Sequence, residues 1–411
     1  MRFHWFAEAT YPDLPAEFKS SGASIWVDTP RRFADPARQG AALNGFLELY
    51  EQADELGFDG LAVNEHHQTA MAMTPSPNLL AAALCRTTKR AAILVIGDSL
   101  ALYNPPIRVA EEMAMLDVMS GGRLIAGFVL GTPMDTAYCY GFTPLELRER
   151  FAEAHDLILK AWAAREPFTW NGKYTKLRYV NIWPEPIQKP PAIWVPGAGS
   201  RETMEFVVEK DYCYGNLSFG GLFSARPIVH DFWEYTDKVG GDMNPHRLAF
   251  TQIVCVSETD GRAEAEYGEA VKYFYQTGFG AVAPRFFSAP GYTTPRSARY
   301  QMELASRRPR TNPQEMTFRD YVEQGHIIAG SPATVRDRLR EMITELRIGQ
   351  LIATPHIGNL SIPQARKNNH LFATEVMPYL RDLWSDWEDR WTPQGLREAA
   401  AKREAEPAAA R

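Results

Sequence analysis

The sequence predicts an α/β protein built as a (β/α)8 TIM barrel with insertions, and three observations carry that expectation. Short apolar, β-rich runs alternate with segments of helical period, the pattern of successive βαβ units. Eight such runs start near Phe3, Gly60, Ala92, Arg123, Ala192, Asp211, Leu248 and Gln350, and eight is the number that closes a parallel barrel. One whole unit is written in Ala92 to Gly131: a strand, a Pro-broken loop, an amphipathic helix, a Gly-Gly turn and a second strand.

The connecting elements follow in order. Ala41 to Leu56, Val109 to Met119, Arg148 to Ala164 and Thr334 to Leu346 repeat apolar residues at i, i+3, i+4 and i+7, the stripe a helix lays on a barrel. Ser331 before Pro332 is an N-cap with proline at the first helical position. Ser120-Gly121-Gly122-Arg123 ends a helix, glycine supplying the left-handed φ. Phe168 to Gln188 alternates around Asn171-Gly172 as a small hairpin. Thr277 to Gly325, rich in Pro, Arg and aromatic residues, breaks the rhythm; it is expected to be a substrate lid, with an inert or interface-forming excursion as the alternative. One domain is placed at 1–386, with 387–411 expected to fray as a tail.

Composition narrows the function. A chain of 411 residues, 45% apolar and 12% aromatic, can bury a large core and still line a pocket with rings. The net charge of -6 is spread out, which argues against a nucleic-acid partner. Four scattered cysteines without a C-x-x-C pair fit reduced thiols in the cytoplasm. No run approaches the about 18 apolar residues of a membrane span, so no membrane role is expected.

Two strand ends carry candidate chemistry, because the C-terminal ends of barrel strands face the active site. Asp59 to His67, DGLAVNEHH, is an apolar strand ending in four polar residues, and a merely satisfied or exposed His pair is the plain alternative. The fifth strand ends in Val195-Pro196-Gly197-Ala198-Gly199-Ser200-Arg201 and runs into ETMEFVVEK; small residues there leave backbone N–H groups free for an anion. No G-x-G-x-x-G follows a strand, which argues against a nicotinamide-binding domain. His66, His67 and His356 leave a metal-dependent hydrolase open, but the histidines lack ligand-like spacing and no metal is expected.

The Ala92 to Gly131 unit, Asn64-Glu65-His66-His67, RERFAEAHDLILKAW, PEPIQKPPAIWV, GSPATVRDRLREM and ATEVMPYLRDLW resemble segments of the bacterial luciferase-like flavin monooxygenase family, in family order. The resemblance implies reduced FMN from a separate flavin reductase, O2 activation through a C4a-peroxyflavin, and oxygenation of a small, hydrophobic substrate. It points to His66 as the catalytic base, with Glu65 and His67 orienting it. Gly199, Ser200 and Arg201 would hold the FMN phosphate. Asp98 and Ser99 would meet the flavin ring, Phe6 and Ala7 would wall its pocket, and Tyr138 and Tyr140 would reach flavin or substrate. A homodimer is expected. The alternatives it leaves are an F420-dependent hydride-transfer enzyme and a flavin-binding subunit without catalysis. One departure stands out: many members carry Arg in the fourth-strand ending G-x-x-R-G, where this chain has Gly127-Phe128-Val129-Leu130-Gly131, so Arg201 is the expected replacement for the lost charge.

Overall fold

The computed structural model describes residues 1–21, 24–279, 282, 284–287, 289–306 and 315–398. Its strands are β1 (Arg2–Phe6), β2 (Gly60–Val63), β3 (Ala92–Ser99), β4 (Leu124–Val129), β5 (Phe168–Asn171), β6 (Lys176–Val180), β7 (Ala192–Gly197), β8 (Cys213–Asn216), β9 (Leu248–Val256), β10 (Ile327–Gly330) and β11 (Gln350–Thr354). The order β1-β2-β3-β4-β7-β8-β9-β11, closed by β11 on β1, is an eight-stranded parallel barrel. All eight strands fall where the sequence places them. β5 and β6 pair antiparallel outside the barrel as the hairpin around Asn171-Gly172.

Strand alternation divides the core in two. Phe6, Ala62, Leu94, Ile125, Trp194 and Ile352 fill the barrel interior. Phe3, Trp5, Leu61, Val63, Ile93 and Val95 face the helical layer. The helices Pro36–Glu55, Ile107–Ser120, Leu147–Ala163 and Pro332–Leu346 press their apolar stripes on that outer face. Ser331 Oγ accepts from Thr334 N as the cap of the last of these, and Gly121 takes φ 71° at the end of the second.

The sequence reading passed over β10. Ile253 of β9 pairs with Thr354 of β11 on one side and with Ile327 of β10 on the other. β10 therefore continues, further up β9, the edge that β8 occupies lower down. A four-residue apolar run after a long irregular stretch carries no periodicity that could announce it. The insert contains the helices Pro284–Phe287, Pro295–Ser306 and Phe318–Glu323, so it is structured where described.

The start of the expected tail packs on the barrel. Trp391 is buried with the interior cluster at the N-terminal end of the barrel; its carbonyl accepts from Trp194 Nε1 at 2.9 Å and its own Nε1 donates to Asp211 O at 2.9 Å. Asp389 accepts from Gln350 Nε2 at 3.1 Å and pairs with Arg2. The barrel floor must be covered against water, and these residues cover it. Residues 399–411 lie outside the described residues.

Candidate active site

The polar end of β2 enters a network that one other strand end completes. His66 Nδ1 lies 3.0 Å from Asp135 Oδ2, and His67 N donates to Asp135 Oδ1 at 2.8 Å. Asp135 sits in the helical turn Met134–Cys139 after β4, and Thr132 Oγ1 donates to its Oδ2 at 2.6 Å. Burial disfavours the charged imidazole, but the Asp135 carboxylate, with Glu8 and Glu65 behind it, outweighs that and raises the His66 pKa to about 9. Burial likewise acts against the Asp135 charge, and His66 and the hydrogen bonds still hold its pKa below the ordinary value. His66 is thus an imidazolium at neutral pH, with Nδ1 bound and Nε2 at the free end of the ring.

His67 is held at both ring nitrogens. Its Nε2 lies 2.8 Å from Glu65 Oε1 and its Nδ1 lies 3.2 Å from Tyr140 OH, so the donor at Nε2 leaves Nδ1 to accept from the phenol. Glu65 Oε2 also accepts from Ser99 N at 2.6 Å, tying β2 to β3.

Not every expected residue faces the mouth. The Asp98 carboxyl is turned to the helical layer, where Asn78 Nδ2 donates to it at 3.1 Å and Tyr103 OH at 3.3 Å. Burial first and the Glu65 charge second push its pKa well up. A register shift in β3 between Val95 and Asp98, with Gly97 between them, breaks the strand's alternation just before it. Ala7 packs with the outer cluster while its neighbour Phe6 faces the interior. Tyr138 and Tyr140 are both about half exposed, and Tyr138 meets Phe286 of the insert with ring centroids 5.1 Å apart.

At the end of β7, Gly199 takes φ +94°, and a Cβ there would sit 2.7 Å from Ile228, so only glycine fits this turn. Ser200 caps the helix Arg201–Glu209. Arg201 departs from expectation: its guanidinium pairs with Asp231 at 3.4 Å and lies 4.5 Å from the Tyr300 ring centre, away from the cap. Arg148 stands there instead, its Nη2 donating to Ser200 Oγ at 3.1 Å, and its Nε is buried without a partner.

Sequence reasoning missed Asp135, Arg148, Glu8 and Trp26. Glu8, two residues past Phe6, accepts from Asn64 Nδ2 at 2.6 Å, and burial raises its pKa. Trp26 stands edge-on to His66 at 4.9 Å and to Phe279 at 5.1 Å. Thr132 and Asp135, three residues apart after a strand-end glycine, were the signal for the first; spacing along the chain could not show that Arg148 meets Ser200. The three histidines of the metal reading point apart, His356 Nε2 lying 2.9 Å from Leu360 O. Among the described residues no three His, Cys, Asp or Glu side chains gather around a metal position, and no helix is long and apolar enough to cross a membrane.

Comparison with known proteins agrees with the fold. The model of the luciferase-like monooxygenase family matches residues 24–348, and the chain belongs to that family. It is 27% identical over 259 residues to limonene 1,2-monooxygenase of Rhodococcus erythropolis, covering 61% of this chain and 64% of that one. It is 30% identical over 186 residues to the oxygenase component of the flavin-dependent trigonelline monooxygenase of Acinetobacter baylyi, covering 43% and 49%. Both matches span less than two thirds of the relative. Among solved structures it shares the fold of the oxygenating constituent of 3,6-diketocamphane monooxygenase from Pseudomonas putida, in complex with FMN (TM-score 0.68, 19% identity, 92% and 98% of the two chains). An F420-dependent secondary alcohol dehydrogenase shares it too (TM-score 0.63, 18% identity, 93% and 99%).

Proposed function

We propose that the protein is the oxygenating component of a two-component flavin monooxygenase, using reduced FMN and O2 to oxygenate a small apolar substrate. The observation that carries this reading is the His66–Asp135 pair at the strand ends of a luciferase-like barrel. FMN supplies the two-electron reduction of oxygen when bound. The chain's residues fit its phosphate: the buried Nε of Arg148 is an unpartnered donor beside the Ser200 cap at the helix start, where the Ser200 hydroxyl and the Gly199 N–H already donate to Glu202 and Tyr214.

The charge state of His66 refines its role. Held protonated by Asp135, it gives a proton at Nε2 at neutral pH and so acts as an acid before it can act as a base. Glu65 and Tyr140 fix His67, whose backbone N–H in turn fixes Asp135. Trp26, Phe279 and Phe287 form an aromatic wall beside His66, which suits an apolar substrate and keeps water from the reacting centre. The relative named as an oxygenase component supports a separate reductase partner.

A second reading, hydride transfer with F420, is favoured by the likeness to the F420-dependent dehydrogenase fold. Fluorescence titration separates the two. Micromolar binding of FMN with no saturable binding of F420 is expected, and the reverse order of affinity would replace the monooxygenase reading.

A further inference from the structure

The insert is fastened to the same helix start that is assigned to the flavin phosphate. Glu202, in the first turn of Arg201–Glu209, accepts from Thr294 Oγ1 at 2.6 Å on one oxygen, and from Ser297 Oγ at 2.6 Å and Ser200 Oγ at 3.0 Å on the other. Ser297, fully buried, in turn accepts from Arg201 N at 3.2 Å. Arg296 pairs with Glu205 one turn along, and Tyr292 OH donates to Gly131 O at 2.8 Å. The insert thus reaches the end of β7 through Glu202 and its neighbours, and the end of β4 through Tyr292.

Two groups needed by an anion are engaged in this fastening. A serine hydroxyl has one proton to give, and Ser200 gives it to Glu202. The Arg201 N–H, a free donor of the helix N-terminus, is taken by Ser297. We propose that Glu202 is a positioning residue that competes with the flavin phosphate for the Ser200 hydroxyl, so that phosphate binding loosens the insert from the helix. The inference rests on the FMN reading and adds to it a coupling between cofactor and insert. When the phosphate takes the Ser200 proton, Glu202 loses a hydrogen bond and gains a like-charged neighbour. Hydrogen bonds from Ser297, Thr294 and Ser200 outweigh the effect of burial and hold the Glu202 pKa down to about 2, so that charge is present throughout the working range of pH. Riboflavin, with the same ring and no phosphate, leaves the fastening intact.

Hydrogen exchange of the 289–306 peptides, measured with saturating FMN and with saturating riboflavin, tests the coupling. Faster exchange with FMN than with riboflavin is expected in the unaltered protein. Glu202→Gln keeps the side-chain shape and removes the charge; it should tighten FMN about tenfold, leave riboflavin unchanged and abolish the ligand difference in exchange. Ser297→Ala, which frees the Arg201 N–H, should also tighten FMN and serves if the first variant does not fold. Equal exchange with the two flavins, or a Glu202→Gln variant that binds both equally more weakly, would overturn the coupling while leaving the cofactor reading standing. Failure of FMN to bind at all would overturn both.

Discussion

His66 and Asp135, from the ends of β2 and β4, are joined Nδ1 to Oδ2 at 3.0 Å, and this bond decides the charge of the site. Replacing Asp135 by Asn removes the carboxylate and keeps the shape. The His66 pKa, about 9 in the native protein, should then fall, because only Glu8 and Glu65 are left to oppose burial. Ring-nitrogen NMR titration reads this directly, and a pKa that does not move would show that Asp135 is not the cause.

The same pair gives stability a sign with pH. A histidine whose pKa is raised from 6.5 to about 9 on folding contributes stability fully below pH 6.5 and loses it as pH rises through 9. The change is on the order of 3 kcal/mol for the pair taken once. Unfolding midpoints measured across that window should fall in the native protein and flatten in Asp135→Asn.

His66→Ala should leave the fold and FMN affinity nearly intact and lower turnover by roughly 10²-fold or more, the scale of a lost acid-base group. Circular dichroism and flavin titration separate this outcome from unfolding, which would make His66 a structural residue.

At the helix start proposed for the phosphate, Arg148 stands where Arg201 was expected. Arg148→Ala should weaken FMN by about 1.5 to 3 kcal/mol and spare riboflavin, as for a lost hydrogen bond to a charged group. Arg201→Ala should change both ligands little, since Asp231 and Tyr300 occupy its guanidinium. The reverse pattern in isothermal titration would restore Arg201.

Periodicity made the barrel legible, because strand and helix alternate with periods that only one closed architecture uses together. It showed where β2 ends, and hence Glu65, His66 and His67. It could not show Asp135 or Arg148, whose roles depend on the distance between strand ends far apart in sequence. Asp98 follows a register shift next to Gly97 that leaves no mark in the sequence beyond one glycine. The floor residues were hidden by the polar chain around them: WEDRWTPQ reads as tail, yet Trp391 is inside.

That floor makes its own prediction. Trp391→Ala should destabilise the protein by about 3 to 5 kcal/mol, the cost of emptying a large buried aromatic site. Denaturant unfolding shows it as a lower midpoint with an unchanged slope, and a loss under about 0.5 kcal/mol would return the segment to a loose tail.

The central claim is that this barrel controls the reaction of reduced FMN with oxygen through His66. Stopped-flow absorbance after mixing the anaerobic protein–reduced FMN complex with oxygen tests it most directly. Reoxidation through a resolved slow phase, retained in Arg201→Ala and lost in His66→Ala, is the predicted result. Reoxidation indistinguishable from that of free reduced FMN, in the native protein and the variant alike, would contradict it.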